Sequence, residues 1–485
     1  MTATPLADDF GAQGDAATRA RWMALVEKTL KGQSFDEALT VTTPDGLTIQ
    51  PLYTAEDGVA VARDLRLRDP ERPWDLRVRA AHPDPVHTAR DILTDLENGA
   101  ASVLLKIDPK GADGVAIGSV DDLAQALSGV LIDLATVSLD AGYLGPKAAD
   151  WLSVLAKGAP NAPLAFHLDP LSTFAETGTS PGPIEAHVFN AATVAARLSE
   201  TYAKASLFLA SGRTAHEAGG SNTEELAMMT ASALAYAKAL VRSGLSQEDA
   251  FGRIVLGVSL DGEYFTGVAK VRAAKAMWAR LTQACGVTVA PKIEVRSSRR
   301  MLAKADAWTN LLRLTSAGFA GAVGGADAIV LDAFTDSIGL PTAFARRQVR
   351  NTQLVLMEES NLGRVADPAG GAWYLDSLTD QLARTAWSGF QEIETAGGIV
   401  KALESGAIAD AVTKTRGLQE AAYADKSRKI LGVTVFPNAD DKTPEVEAPD
   451  ASAFAKTGPD VRLPGPDSRC PPLTPVRFAA AFEGA

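Results

Sequence analysis

Ala101-Ser102-Val103-Leu104-Leu105-Lys106-Ile107 and Arg253-Ile254-Val255-Leu256-Gly257-Val258-Ser259-Leu260 are the two runs on which the fold turns. Each is almost continuously apolar over a strand's length, the pattern of a strand buried on both faces. Working outward, similar short runs occupy Leu76–Ala81, Thr136–Leu139, Leu164–Leu168, Ser206–Ala210, Lys292–Val295 and Ala328–Leu331. Helical patterns fill the gaps, at 84–98, 119–130, 184–200, 222–242, 264–284 and 305–318. Connections of crossover length require parallel pairing, because antiparallel hairpins need only short turns. Eight such units over roughly 260 residues are what a (β/α)8 barrel needs. A doubly wound open sheet is the alternative, but its first βα turn would carry a dinucleotide glycine fingerprint, and none is present. The expected fold is therefore α/β, a (β/α)8 TIM barrel with an N-terminal arm and a C-terminal helical and linker tail.

The flanks read differently. Residues 1–16 are small and polar and are expected to lack structure. Arg19–Lys31 carries Trp22, Leu25, Val26 and Leu30 at helical spacing and stops at Gly32. Leu47–Tyr53 reads as an extended arm. Beyond the barrel, Leu378–Glu404 reads as one amphipathic helix with Trp387 and Phe390 on its apolar side. Residues 437–475 turn acidic and then Pro-rich, which reads as a linker. The expected divisions are 1–60 for the disordered segment, helix and arm, 61–395 for the barrel, 396–436 for a helical extension and 437–485 for the tail.

The 485 residues are 46% hydrophobic and 22% charged, as in a globular protein. A net charge of −12 gives a nucleic acid or an anionic membrane no electrostatic purchase. Two cysteines, Cys285 and Cys470, cannot form a disulfide framework and suit a reducing compartment. Cys285, at a helix end beside Gly286, reads as a structural thiol. No apolar run is long enough to span a bilayer, and the acidic N-terminus has no secretory h-region. A cytoplasmic location is expected.

Arg350-Asn351-Thr352-Gln353, Glu358-Glu359-Ser360 and Asp367-Pro368-Ala369-Gly370-Gly371 follow one another in a distinctive order. This stretch resembles the cobalamin-dependent acyl-CoA mutases, above all the methylmalonyl-CoA mutase family. The resemblance extends over roughly 19–435 and the last ten residues. It implies a barrel serving the adenosylcobalamin-dependent radical interconversion of methylmalonyl-CoA and succinyl-CoA. The segments Val26–Gly32 and Phe35–Asp57 resemble the family arm that wraps a partner subunit; packing on its own barrel is the alternative. Pro475–Gly484 resembles the linker that leads into the cobalamin domain, which is expected to be missing here.

The chemistry that such a reaction needs is not found at the matching positions. Cobalt ligation in the family uses Asp-x-His-x-x-Gly, and none of the five histidines, His82, His87, His167, His187 and His216, sits in that setting. His167, beside Asp169 at the end of the fourth strand, comes nearest and reads as a capping or bracing residue. After the fifth strand, Ser211–Gly220 aligns with the catalytic Ser-Gly-Tyr-His-Met-Gln-Glu-Ala-Gly. The resemblance then places Arg213 at the substrate-contacting Tyr, Thr214 at the His that hydrogen-bonds the thioester, and His216 at the Gln. A threonine hydroxyl does not titrate near neutrality and cannot stand in for that His. Asp327, in Gly324–Ala328, falls where the family has Gln, and a carboxylate there would repel the acyl carboxylate. His82-Pro83-Asp84-Pro85-Val86-His87 replaces a glycine- and aromatic-rich loop.

Two basic groups invite a binding role. Arg296, Arg299 and Arg300, at the seventh strand, are candidates for a phosphate or a CoA nucleotide; ion pairing within the chain is the alternative. Gly318–Gly325 resembles a phosphate loop only loosely, lacking Gly-Lys-Ser/Thr. Pro341, Leu354, Trp373, Leu378 and Trp387 supply apolar area to seal the barrel. Trp22, Tyr53, Arg346 and Arg350 are the partner-interface candidates. The resemblance thus implies a small, non-catalytic subunit that binds no cofactor or metal itself and pairs with a homologous large subunit carrying adenosylcobalamin. The alternatives are a catalytic barrel using a separate cobalamin-binding chain, and a non-enzymatic acyl-CoA-binding barrel.

Overall fold

A computed structural model describes residues 16–484; the expectation for 1–15 lies outside the described residues. Eight parallel strands close into a barrel in chain order: β1 Asp75–Ala80, β2 Ser102–Lys106, β3 Thr136–Asp140, β4 Ala165–Leu168, β5 Ser206–Ser211, β6 Ile254–Leu260, β7 Ile293–Ser297 and β8 Ala328–Val330. Closure is made by β8 on β1, with Ala328 opposite Asp75. The register slips between β4 and β5 around Ala165 and Leu168, where His167 takes a φ of +43°. Left-handed backbone is costly for a residue with a Cβ, and here it turns an imidazole toward the barrel axis.

All six expected helices are present, and others that the pattern did not reveal join them, among them Gly145–Leu155 and Pro170–Thr177. Both are short and carry a proline in the first turn, where the missing N–H costs nothing. Side chains alternate across each strand. Leu76 and Val78, Val103 and Leu105, Val137 and Leu139, and Ile293 and Val295 all join the apolar layer beneath the helices. The residues between them point inward, and three of the four, Arg77, Ser138 and Glu294, are polar, Leu104 being the exception.

The helix expected over Leu378–Glu404 is in fact two, Trp373–Thr395 and Ile399–Glu404. Gly397 and Gly398 separate them with φ values of +106° and +91°, which no helix interior tolerates. The distinctive 350–371 stretch does structural work. Arg350 is buried against Asp95, Gln353 accepts from the Trp74 indole at 3.2 Å, and Asp367 grips Arg272 at 2.8 Å. Asp376 holds the other side of the same guanidinium.

The tail is a collar and not a free linker. Val446–Glu447 pairs with Leu340–Pro341, and Ser468–Arg469 pairs with Thr179–Ser180. Between and after these, the amides of Lys456, Leu463, Leu473 and Val476 donate to the carbonyls of Pro109, Pro181, Ala175 and Glu217. Those acceptors lie on or beside the loops that follow the strands, so the collar runs around the barrel mouth. A Pro-rich chain is preset in an extended form and gives up little entropy when laid on a surface. His82 and His87 stack at 4.0 Å, and both face Glu447 of the collar at 3.7 and 3.6 Å.

At the other terminus the arm divides. Trp22 of helix Ala16–Leu30 packs edge-on against Phe35 at 5.9 Å. From Asp45 onward the arm docks on its own barrel. The Asp45 carboxylate accepts from the Thr223 amide at 2.7 Å, and Tyr53 meets Tyr374 at 5.0 Å. Leu65 and Leu67, at 62% and 92% exposure, are left facing solvent.

Candidate functional site: the barrel interior and its mouth

The inward positions of β1, β2, β3 and β7 build a charged plug. Arg77 donates to Ser102 at 2.8 Å and to Asp75 at 2.6 Å, and pairs with Glu294. Arg296 donates through Nε to Glu294 at 2.7 Å and through Nη1 to Asp140 at 2.8 Å. Burial alone would raise the Glu294 carboxyl, but Arg296 and Arg77 together hold it well below its ordinary range. His167 hydrogen-bonds Ser138 at 2.8 Å through Nδ1. Burial, together with Arg77 and Arg296 and against Glu294, pushes its pKa down to about 3, so the ring is neutral.

Above the plug, at the C-terminal ends of the strands, opens a cavity of about 610 Å3. Arg213 and Thr214 line it, at the start of the short helix Arg213–Glu217. Gly212 makes that turn possible, because a Cβ there would sit 1.9 Å from the Glu225 carbonyl oxygen. Asp169 forms another wall, accepting from the Tyr236 hydroxyl at 2.5 Å and capping Pro170–Thr177 through the Ser172 amide at 3.2 Å. Burial pushes its pKa up to about 7.

The remaining sequence candidates are dispersed. His216 points behind the barrel, fully buried, with Nδ1 3.1 Å from Glu225 beside Lys270. Burial and then the Arg300 and Lys270 charges hold its pKa well down. Asp327 precedes β8, at the opposite end of the barrel from the mouth, where it accepts from the Ile293 amide at 2.7 Å and faces Arg66 at 3.6 Å. It therefore cannot oppose a ligand at the mouth, which corrects the expected electrostatic role. The three arginines do not form one basic cluster. Arg296 belongs to the plug, Arg299 pairs with Asp332 and Asp336, and Arg300 pairs with Asp261 and the carbonyls of His216 and Gly220. Of the interface candidates, Arg346 and Arg350 are held by Asp91 and Asp95, and Arg350 is only 6% exposed, so it presents no surface.

His82, His87 and Glu447 are the one cluster of metal-ligating type among the described residues. The Asp84 amide donates to Nδ1 of His82 at 3.1 Å, which leaves the proton on Nε2 and no lone pair aimed at the cluster. The group works as a clasp between collar and barrel. Sequence reading passed over the plug itself. Its signal was the alternation in Asp-Leu-Arg-Val-Arg-Ala (75–80) and Ile-Glu-Val-Arg-Ser (293–297), where period two sets charge on the inward face. Among the described residues no helix is long and apolar enough to cross a membrane.

Comparison with known proteins agrees with this geometry. The family model described as methylmalonyl-CoA mutase matches residues 70–459. The chain is 38% identical to the methylmalonyl-CoA mutase small subunit of Streptomyces virginiae, with 90% of this chain and 73% of that protein covered. It is 35% identical to the probable methylmalonyl-CoA mutase small subunit of Mycobacterium tuberculosis, over 87% of this chain and 71% of that protein. To the small subunit from Propionibacterium freudenreichii subsp. shermanii the identity is 33%, over 90% and 70%.

Proposed function

The chain belongs to the methylmalonyl-CoA mutase family, a cobalamin-dependent group of isomerases, and from that premise we propose that it is the small, non-catalytic partner in a heterodimer. The large partner would carry acyl-CoA and adenosylcobalamin and interconvert methylmalonyl-CoA and succinyl-CoA. The plug is the observation that carries this reading. Arg77, Glu294, Arg296 and His167 fill the barrel interior with side chains bonded to one another, where an acyl-CoA chain passing along the barrel axis would need open space. At the mouth, Thr214 offers a hydroxyl that does not titrate near neutrality where the catalytic pattern has an imidazole.

The histidines do not suit cobalt. His167 and His216 are buried and engaged by Ser138 and Glu225, His187 is bonded to the Pro181 carbonyl at 3.0 Å, and His82 and His87 face Glu447. His167 alone lines the mouth, and there burial, Ser138 and the plug hold its ring in place, so cofactor binding is assigned to the partner. The exposed part of the arm, with Leu65, Leu67 and the helix bearing Trp22, supplies apolar area that a partner would cover. The unpaired thiols Cys285 and Cys470 favour a reducing, cytoplasmic setting.

Tagging the chain in its source cells and identifying what co-elutes in equal amount tests the reading. A larger homologue bearing the cobalamin motif is the expected companion. A bare homodimer, or a small stand-alone cobalamin protein, would overturn it.

A further inference from the structure

Arg213 is the anomaly of the mouth. It is a guanidinium with no salt bridge to any of the described residues, and its Nε is buried without a hydrogen-bond partner. Next to it, Arg296 is only 6% exposed and has spent Nε and Nη1 on the plug, while its Nη2 is buried and also unpartnered. Both residues line the same cavity. The nearby carboxylates are committed elsewhere. Asp140 is held by Arg296 and Lys106, Glu294 by Arg77 and Arg296, and Glu217 by the Ser259 hydroxyl and the amides of Arg299 and Arg300.

A half-buried guanidinium without a salt bridge is costly, and a second guanidinium beside it adds repulsion. Burial and then the neighbouring Arg296 charge work against ionised Arg213, and the more distant Glu217, Glu294 and Asp140 offset them only in part. Arg213 is only half-buried, so the end of its fork reaches the cavity, and with the unpartnered Nη2 of Arg296 beside it the pair forms a receptor for an oxyanion. We propose that the mouth binds one small oxyanion, a carboxylate or a phosphate, between Arg213 and Arg296. The collar limits the size of the guest, since Pro475 closes one side of the cavity. The site differs from the expected Arg296–Arg299–Arg300 cluster, and it does not depend on the heterodimer reading.

Calorimetric titration of the full chain in Tris chloride tests this, with sodium phosphate and sodium malonate as separate probes and sodium chloride at equal ionic strength as the blank. Saturable one-to-one binding of either probe, together with an anion-dependent rise in Tm, is expected. Response to phosphate alone would assign a phosphoryl guest, response to malonate alone an organic acid, and response to both a general oxyanion receptor. Arg213→Met should weaken binding at least tenfold yet leave Tm in chloride equal to or above that of the parent, because it removes a half-buried guanidinium that no salt bridge holds. Arg213→Lys, which keeps the charge without the fork, should fall between them. No difference from chloride with either probe, undiminished binding by Arg213→Met, or a lower Tm of that variant in chloride would overturn the proposal.

Discussion

Glu294, inside the barrel, and Asp169, on its rim, are both carboxylates largely withdrawn from water, yet their charges are held in opposite ways. Glu294 meets two guanidiniums and stays ionised far into acid. Asp169 meets a phenol and an amide, neither of them charged, and burial raises its pKa to about 7. The difference separates two regions of one fold. The interior is a closed electrostatic account in which every charge has its partner, whereas the mouth retains groups that lack one. A closed network holds shape, and an open one answers to pH and to ligands.

The sharpest way to break the contrast is Glu294→Gln. Removing that charge leaves Arg77 and Arg296 buried with one partner fewer each, a loss of about 3–5 kcal/mol. Urea unfolding of the isolated chain would read this directly, and a loss below about 1 kcal/mol would mean that the plug does not hold the barrel together. Gly212→Ala comes next. Its Cβ would meet the Glu225 carbonyl oxygen at 1.9 Å, so the turn bearing Arg213 and Thr214 must move away from helix Asn222–Arg242. A cost of about 2–3 kcal/mol is expected in the same assay, as for overpacking against backbone. An unchanged midpoint would show that the turn is free to shift.

How far this was legible in sequence follows from the length scale of each signal. All eight strands could be read because burial on both sides writes itself as local apolar runs such as ASVLLKI. Arg213 and Thr214 could be placed at the mouth because the barrel fixes where a strand's C-terminal end lies. Asp327 is a different case. The strand start at Ala328 was legible and already put Asp327 at the N-terminal end, and only the resemblance lent it an acyl contact. Arg296, Arg299 and Arg300 lie close in sequence but take different partners, Asp140 with Glu294, Asp332 with Asp336, and Asp261. Apart from Glu294, two residues away on the same strand, those partners come from another strand or from loops after other strands, and pairing across a closed sheet has no local trace. The collar was hidden for a different reason, since a Pro-rich composition looks the same whether the chain is free or laid against a surface.

A smaller effect should expose the sign of the contrast. Asp169 binds its proton more tightly folded than unfolded, with a pKa moved from 3.8 to about 7. The stability it contributes is therefore complete below about pH 4 and is lost as pH rises through 7. Asp169→Asn removes that loss but also a charge-assisted acceptor for Tyr236 and Ser172. It should match the parent near pH 5 and exceed it by about 1 kcal/mol near pH 9. Glu294 has the reverse sign, its contribution being present above the unfolded pKa and lost only in acid. Denaturation midpoints for Asp169→Asn across that range would count against this picture if the gap to the parent stayed constant or closed with rising pH.

The smallest effect is expected at the collar clasp. Glu447 faces His82 and His87 at 3.7 and 3.6 Å, but the side chains of Glu447 and His87 are 28% and 34% exposed. Pairs so open to water contribute only about 0–1 kcal/mol, and here the acceptor is shared between two rings that repel when both are charged. The collar, moreover, is fixed by two stretches of strand pairing and by backbone bonds to Pro109, Pro181 and Glu217, none of which involves Glu447 side-chain atoms. Glu447→Gln should therefore shift stability by less than about 1 kcal/mol and leave limited proteolysis of residues 440–476 unchanged. Rapid cleavage in that variant would mean that the clasp, and not the backbone pairing, keeps the collar on the mouth.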